Sequence, residues 1–171
     1  MEFIPPIRTE RFEQLEPGEL FLFMNHNHKF FALKTQQPST GDKSQLVLLG
    51  PNFPESVTES FLLPWQAATT VSFGKNYSIV LPTDAASWSL DGPNRQPVCL
   101  AVANDRPYIC TNGGQSPSHF FQCFVDMKTG AVIEGSLPGR PVFTNCWEIV
   151  ILRDQQPPSS IIKYPLRPDA A

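Results

Sequence analysis

The stretch ELFLFMNHNHKFFALKT, Glu19 to Thr35, decides how this chain is read. Two apolar runs, ELFLFM and KFFALKT, flank Asn25-His26-Asn27-His28. Apolar runs of six or seven residues that are rich in Phe and bounded by Asn read as strands, and a short polar link between them reads as a hairpin connection. Asn tolerates the left-handed backbone that such links require. Two imidazoles in this link raise the question of a metal site. Two are a weak ligand set, and the sequence supplies no evident third.

The remainder of the chain follows the same pattern. Strands are expected at Gln45–Leu49, Thr69–Phe73, Tyr77–Leu81, Pro97–Val102, Tyr108–Thr111, Phe120–Val125, Ala131–Glu134, Cys146–Leu152 and Ile161–Tyr164. Turn signals fall between them at Pro17-Gly18, Ser39–Asp42, Gly74–Asn76, Asp91–Asn94, Lys128–Gly130 and Leu137–Pro141. Asp126-Met-Lys-Thr-Gly130 reads as a tight hairpin turn with Gly130 at positive φ. Helical signals are few. Thr9–Leu15 can make one or two turns, and Ser56-Val-Thr-Glu59 has the capping-box form before Phe61-Leu-Leu63 and Pro64. A short turn is expected near Asp84–Trp88. Asp154–Ser160, with Pro157-Pro158, reads as a loop, and residues 166–171 as a frayed tail.

The composition agrees. The 171 residues include 18 Pro, 10 Gly and 13 Phe, and only 17% are charged, which suits short strands and many turns. Net charge is −3. Residues 1–80 hold six Lys/Arg against eight Asp/Glu, and residues 81–171 hold seven against eight. Without a basic run, general nucleic-acid binding is disfavoured. The N-terminus lacks a signal-peptide pattern and no apolar run is long enough to span a bilayer, so a cytoplasmic protein without membrane association is expected. Cys99, Cys110, Cys123 and Cys146 lie in apolar strand-like runs without a CxxC pair, and are read as reduced, buried thiols.

Sliding the chain against itself by 78 residues aligns these features. Phe30-Phe31-Ala32 meets Tyr108-Ile109-Cys110, and Gln45-Leu46-Val47 meets Cys123-Phe124-Val125. Thr69–Phe73 meets Trp147–Ile151, and YSIVLP from Tyr77 resembles SIIKYP from Ser160 once five residues of insertion are allowed. The match is of apolar pattern and turn position. It divides the chain into a first β half, 1–82, and a second, 83–165, either as two small units or as parts of one compact domain. The link Ala103-Asn104-Asp105-Arg106 does in the second half what Asn25–His28 does in the first, with no histidine. The asparagines thus serve the turn, and the histidines are not needed for it.

The run RFEQLEPGELFLF…FFALKT…LVLLG, Arg11 to Gly50, resembles small β proteins of bacteria and phage. VDMKTGAVIEG, Val125 to Gly135, resembles a later part of the same pattern. The resemblance covers about a third of the chain, and in the second half Cys110-Thr111 stands where the pattern has Lys-Thr. It implies a small SH3-like barrel and a bacterial setting, and no activity.

No GxSxG, HExxH, Walker or GxGxxG pattern occurs. His119 and Cys123 would lie ~13 Å apart along a strand, too far for a nucleophile and its base. Thr111–Pro117 is Gly-rich but precedes no helix, so it reads as a connection rather than a phosphate cradle. A nuclease of H-N-H type would need a ββα-metal motif, and none is found.

The expectation is therefore an all-β protein of one or two small barrels, with at most one or two short helices. It would act as a non-enzymatic protein-binding module without a cofactor or metal. The candidate contact residues are His26, Asn27 and His28, their counterparts Asn104, Asp105 and Arg106, and Trp88 at the junction of the halves. A small-ligand or catalytic site between the halves is the alternative. A homo-oligomer built by edge-strand pairing is a third reading.

Overall fold

In the computed structural model, the structure describes residues 8–25, 28–36, 45–51, 62–64, 69–92, 98–113, 121–153 and 156–164. Among these residues, fourteen strands pair antiparallel into three sheets. The first sheet holds β1 (Arg8–Arg11), β2 (Leu20–Asn25), β3 (His28–Lys34), β4 (Gln45–Pro51), β5 (Leu62–Pro64) and β6 (Thr69–Gly74), in the order β1-β6-β2-β3-β4-β5. The second holds β8 (Leu100–Ala103), β9 (Arg106–Gly113), β10 (Phe121–Asp126), β11 (Val132–Glu134) and β12 (Val142–Thr144), in the order β11-β10-β9-β8-β12. The third joins β7 (Tyr77–Val80) to β13 (Glu148–Arg153) and β14 (Gln156–Lys163), with β13 in the middle. Among the described residues these pairings do not close a barrel. None of their helices is long and apolar enough to cross a membrane.

Each large sheet is a four-stranded meander whose fifth strand returns beside the first, β6 beside β2 and β12 beside β8. The side-chain faces follow the 78-residue offset. Leu20 and Val98 enter a central core, as do Val47 and Val125, and Leu49 and Met127. Phe21, Phe23, Phe30 and Ala32 enter a cluster on the far face of the first sheet. Cys99, Ala101, Tyr108 and Cys110, each 78 residues later, enter the matching cluster of the second. Alternation along each strand thus fills one shared core and two outer ones. Past β4 the offset fails. Trp147–Ile151 does not occupy the place of Thr69–Phe73, because the strand that returns beside β8 is Val142–Thr144. By position, β6 answers to β12 and β7 to β13.

The central core includes Leu20, Leu33 and Val47 from the first sheet, Leu100, Ile109 and Val125 from the second, and Ile149 and Ile162 from the third. Trp147 and Tyr164 close it, stacked with centroids 4.4 Å apart. Both polar tips are satisfied. The Trp147 indole donates to the Val98 carbonyl at 3.0 Å, and the Tyr164 hydroxyl donates to the Leu49 carbonyl. Val98 sits at φ +61, a strained region for a β-branched residue, so β8 begins at Leu100 rather than at Pro97.

Four further local expectations are corrected. Thr9–Leu15 is not a helix. Arg8–Arg11 pairs with β6, and only Phe12–Gln14 coils, as a 3-10 turn. That turn places Phe12 over the first outer cluster, where the buried Lys34 ammonium lies 3.6 Å from the Phe12 ring and donates to the Phe12 carbonyl. Leu62–Pro64, read as the end of a capped helix, is an edge strand paired with β4, while the capping-box residues Ser56–Glu59 lie outside the described residues. Val142–Thr144 is a strand that turn-rich flanks had concealed. Gln156–Ser160 is strand rather than loop, because Pro157 and Pro158 sit on an edge, where a missing N–H costs no ladder bond. The expected turn near Asp84 is the 3-10 turn Ala85–Ser87.

The halves meet backbone to backbone at Gly18 and Gly130. A Cβ on Gly130, at φ +71, would lie 2.6 Å from both the Gly18 nitrogen and the Lys34 oxygen. A Cβ on Gly18, at φ +85, would lie 2.4 Å from the Lys128 oxygen. Gly18 N–H donates to Lys34 O at 2.8 Å, and Gln36 N–H donates to Gly130 O at 2.8 Å. Gly130→Ala should therefore destabilise by at least ~2 kcal/mol, through steric overlap added to positive-φ strain. Gly135→Ala, at φ +87 but with no atom within 4 Å of its Cβ, should cost only the conformational part, ~1 kcal/mol. Urea denaturation of the two variants checks the difference.

Candidate functional site

The second hairpin link resolves as a two-residue turn. Ala103 pairs with Arg106, and Asn104 and Asp105 have φ +49 and +59, as a type I′ turn requires. In the first, Asn25 pairs with His28, which opens β3. The polar link is thus two residues long in each case rather than four. His26 and Asn27 lie outside the described residues, as do Trp65, His119 and the run 114–117. Cys99, Cys110 and Cys123 are buried and Cys146 is half-buried, all as free thiols. Cys99 and Cys110 lie in hydrogen-bonding reach of one another, and that bond, with burial, pushes the Cys110 thiol well above its usual range.

Asp126 organises the opposite side of the same region. It is buried, and its Oδ1 accepts from the backbone N–H groups of Lys128 at 2.9 Å and Thr129 at 3.0 Å. Its Oδ2 lies 3.5 Å from Arg106 Nη1. The Tyr77 hydroxyl shares its one proton between the carbonyls of Met127 and Gly18, tying β7 to a turn from each half.

These elements frame a cleft of about 380 Å³, lined by Tyr77, Ile79, Leu81, Val102, Pro107 and Met127, with Lys75, Asp105 and Lys128 among its polar groups. The cleft lies between β7 of the first half and the β8–β9 and β10–β11 connections of the second. Asp105 is the predicted contact residue that belongs to it. Lys75 and Lys128 were read only as turn residues. Their grouping depends on how the third sheet docks, which no local pattern records.

Trp88 stands apart from this cleft. Its indole donates to the Pro82 carbonyl at 3.2 Å. Ser89 then forms an isolated bridge to Phe143, with bonds of 2.8 Å in both directions. Trp88 thereby borders a second groove of about 270 Å³, with Ser89, Phe143, Thr144, Asn145 and Cys146. The Asn145 Oδ1 atom is buried without a hydrogen-bond partner. Leu90, next to the groove in sequence, is 77% exposed. The structure thus separates the predicted contact residues. Asp105 and Trp88 border different grooves, and Arg106 pairs with Asp126.

Comparison with family models, curated proteins and solved structures finds no match for this chain.

Two phenols report on this architecture. Burial, and then the nearby Asp126 carboxylate, raise the Tyr77 phenol, and burial raises Tyr164. A folded pKa above the unfolded value of ~10 stabilises the fold below pH 10, and that stability is lost as pH rises further. Spectrophotometric titration at 295 nm should therefore show these two tyrosines ionising only as the chain unfolds, well above pH 10. Tyr77→Phe should remove one of the delayed ionisations.

Proposed function

We propose that this chain is a non-enzymatic protein-binding module, built from two SH3-like halves, 1–82 and 83–165, that pack as one unit. The repeated strand order, β6-β2-β3-β4-β5 and β12-β8-β9-β10-β11, supports a duplicated architecture, as does the 78-residue phasing of faces through the first three strands of each meander. In this reading the module works inside a bacterial cell.

The observation that carries the binding reading is the apolar edge at Trp88–Leu90. A side chain as large as Leu, with 77% of its surface in water, lies one residue along the chain from Ser89, which sits in a groove that also holds Trp88 and Phe143. Aromatic anchors in a partly desolvated groove are the usual seat of binding energy, and a flanking aliphatic residue extends the patch.

The test is capture from lysate of the source organism after nuclease treatment, with wild type and Leu90→Glu as parallel baits, read by mass spectrometry. Leu90 is largely exposed, so the substitution should leave the melting temperature nearly unchanged. A stoichiometric protein held by wild type should be retained at least ten-fold less by Leu90→Glu, a loss of ~1.4 kcal/mol or more. Equal retention by both baits, or no captured protein, would refute the assignment.

A further inference from the structure

We infer that the cleft between β7 and the β8–β9 and β10–β11 connections is a binding site for a small amphipathic anion, a short apolar body that ends in a carboxylate or phosphate. This site is separate from the Trp88 groove and takes a different class of ligand.

Its size and lining favour such a ligand. A cleft of about 380 Å³ falls within the range that small-molecule sites occupy. Ile79, Leu81, Val102, Pro107 and Met127 offer an apolar surface.

The charge pattern selects the head group. The whole chain carries −3, yet the charged side chains lining the cleft are Lys75, Lys128 and one carboxylate, Asp105. The lining thus sums to +1, with the Glu16 carboxylate beside Lys75 just outside it. Lys75 also meets Glu16 at 3.1 Å, in a pair exposed on both sides, and such pairs are worth little and exchange readily. Lys128 forms no ion pair among the described residues, and its backbone is fixed by Asp126. A lysine held by its main chain at an apolar cleft, with its ammonium unpaired, is suited to a charge-assisted bond with an incoming anion.

The walls are preorganised. Tyr77 fastens β7 to the carbonyls of Gly18 and Met127, and Asp105 is set by its type I′ turn. A ligand therefore need not organise the cleft as it binds.

The test uses three eight-carbon probes that share a tail and differ in head: sodium octanoate, octylamine and 1-octanol, each below its aggregation limit. They are titrated into uniformly ¹⁵N-labelled protein and followed by ¹H–¹⁵N correlation spectra. Octanoate should give saturable shifts centred on Lys75–Leu81, Val102, Asp105, Met127 and Lys128. Octylamine and 1-octanol should bind at least ten-fold more weakly. Lys75→Glu/Lys128→Glu should keep the wild-type spectrum away from the cleft and lose octanoate affinity at least ten-fold. Leu90→Glu should leave it unchanged. Equal affinity for the three probes, octanoate shifts centred elsewhere, no saturable shift, or full affinity in the double variant would each overturn the assignment.

Discussion

Everything in this molecule depends on two glycines that touch. Gly18 belongs to the turn that leads into the first meander, and Gly130 to the turn after the third strand of the second. Their backbones approach so closely that no side chain fits at either position. Backbone hydrogen bonds from Gly18 to Lys34 and from Gln36 to Gly130 then run along the seam. Contact without side chains has no rotamers to adjust, so it sets the spacing of the halves rigidly. That spacing determines how Tyr77 reaches a carbonyl on each side, and hence where the cleft opens.

The division of the core has the same origin. A unit of about 80 residues buries too little apolar surface to be secure alone. Here each large sheet spends one face on a core it shares with the other and closes the opposite face with a smaller cluster. The third sheet takes β7 from one half and β13 and β14 from the other, so its pairing joins the halves by main-chain bonds as well as by packing.

The sequence reveals the strands where alternation and apolar runs are strong. Both hairpins, the positive φ of Gly130 and the shared burial pattern of Phe30-Phe31-Ala32 and Tyr108-Ile109-Cys110 were all readable. The short edge strands were not. Arg8–Arg11, Leu62–Pro64 and Val142–Thr144 are three or four residues each; the first carries charge, the second ends in proline and the third follows Arg140-Pro141, and they are strands only because a longer neighbour offers its free edge. The candidate sites were half legible. Asp105 and Trp88 stood out as a turn residue and an aromatic near a junction. Lys75, Lys128 and Met127 come together only when the halves dock, which local periodicity does not encode. The histidines that first draw the eye have no counterpart in the second hairpin, so their presence cannot be inferred from turn chemistry.

The third sheet has a consequence for how copies of this chain behave together. The pairing of β7 with β13 joins residues on either side of a single linking segment. The same bonds could therefore form between two chains as within one, with each first half docked on its neighbour's second half. Such domain exchange needs no new surface and no change of fold. An exchanged dimer of this kind would keep the contacts of the monomer, with concentration and linker geometry deciding between the two forms.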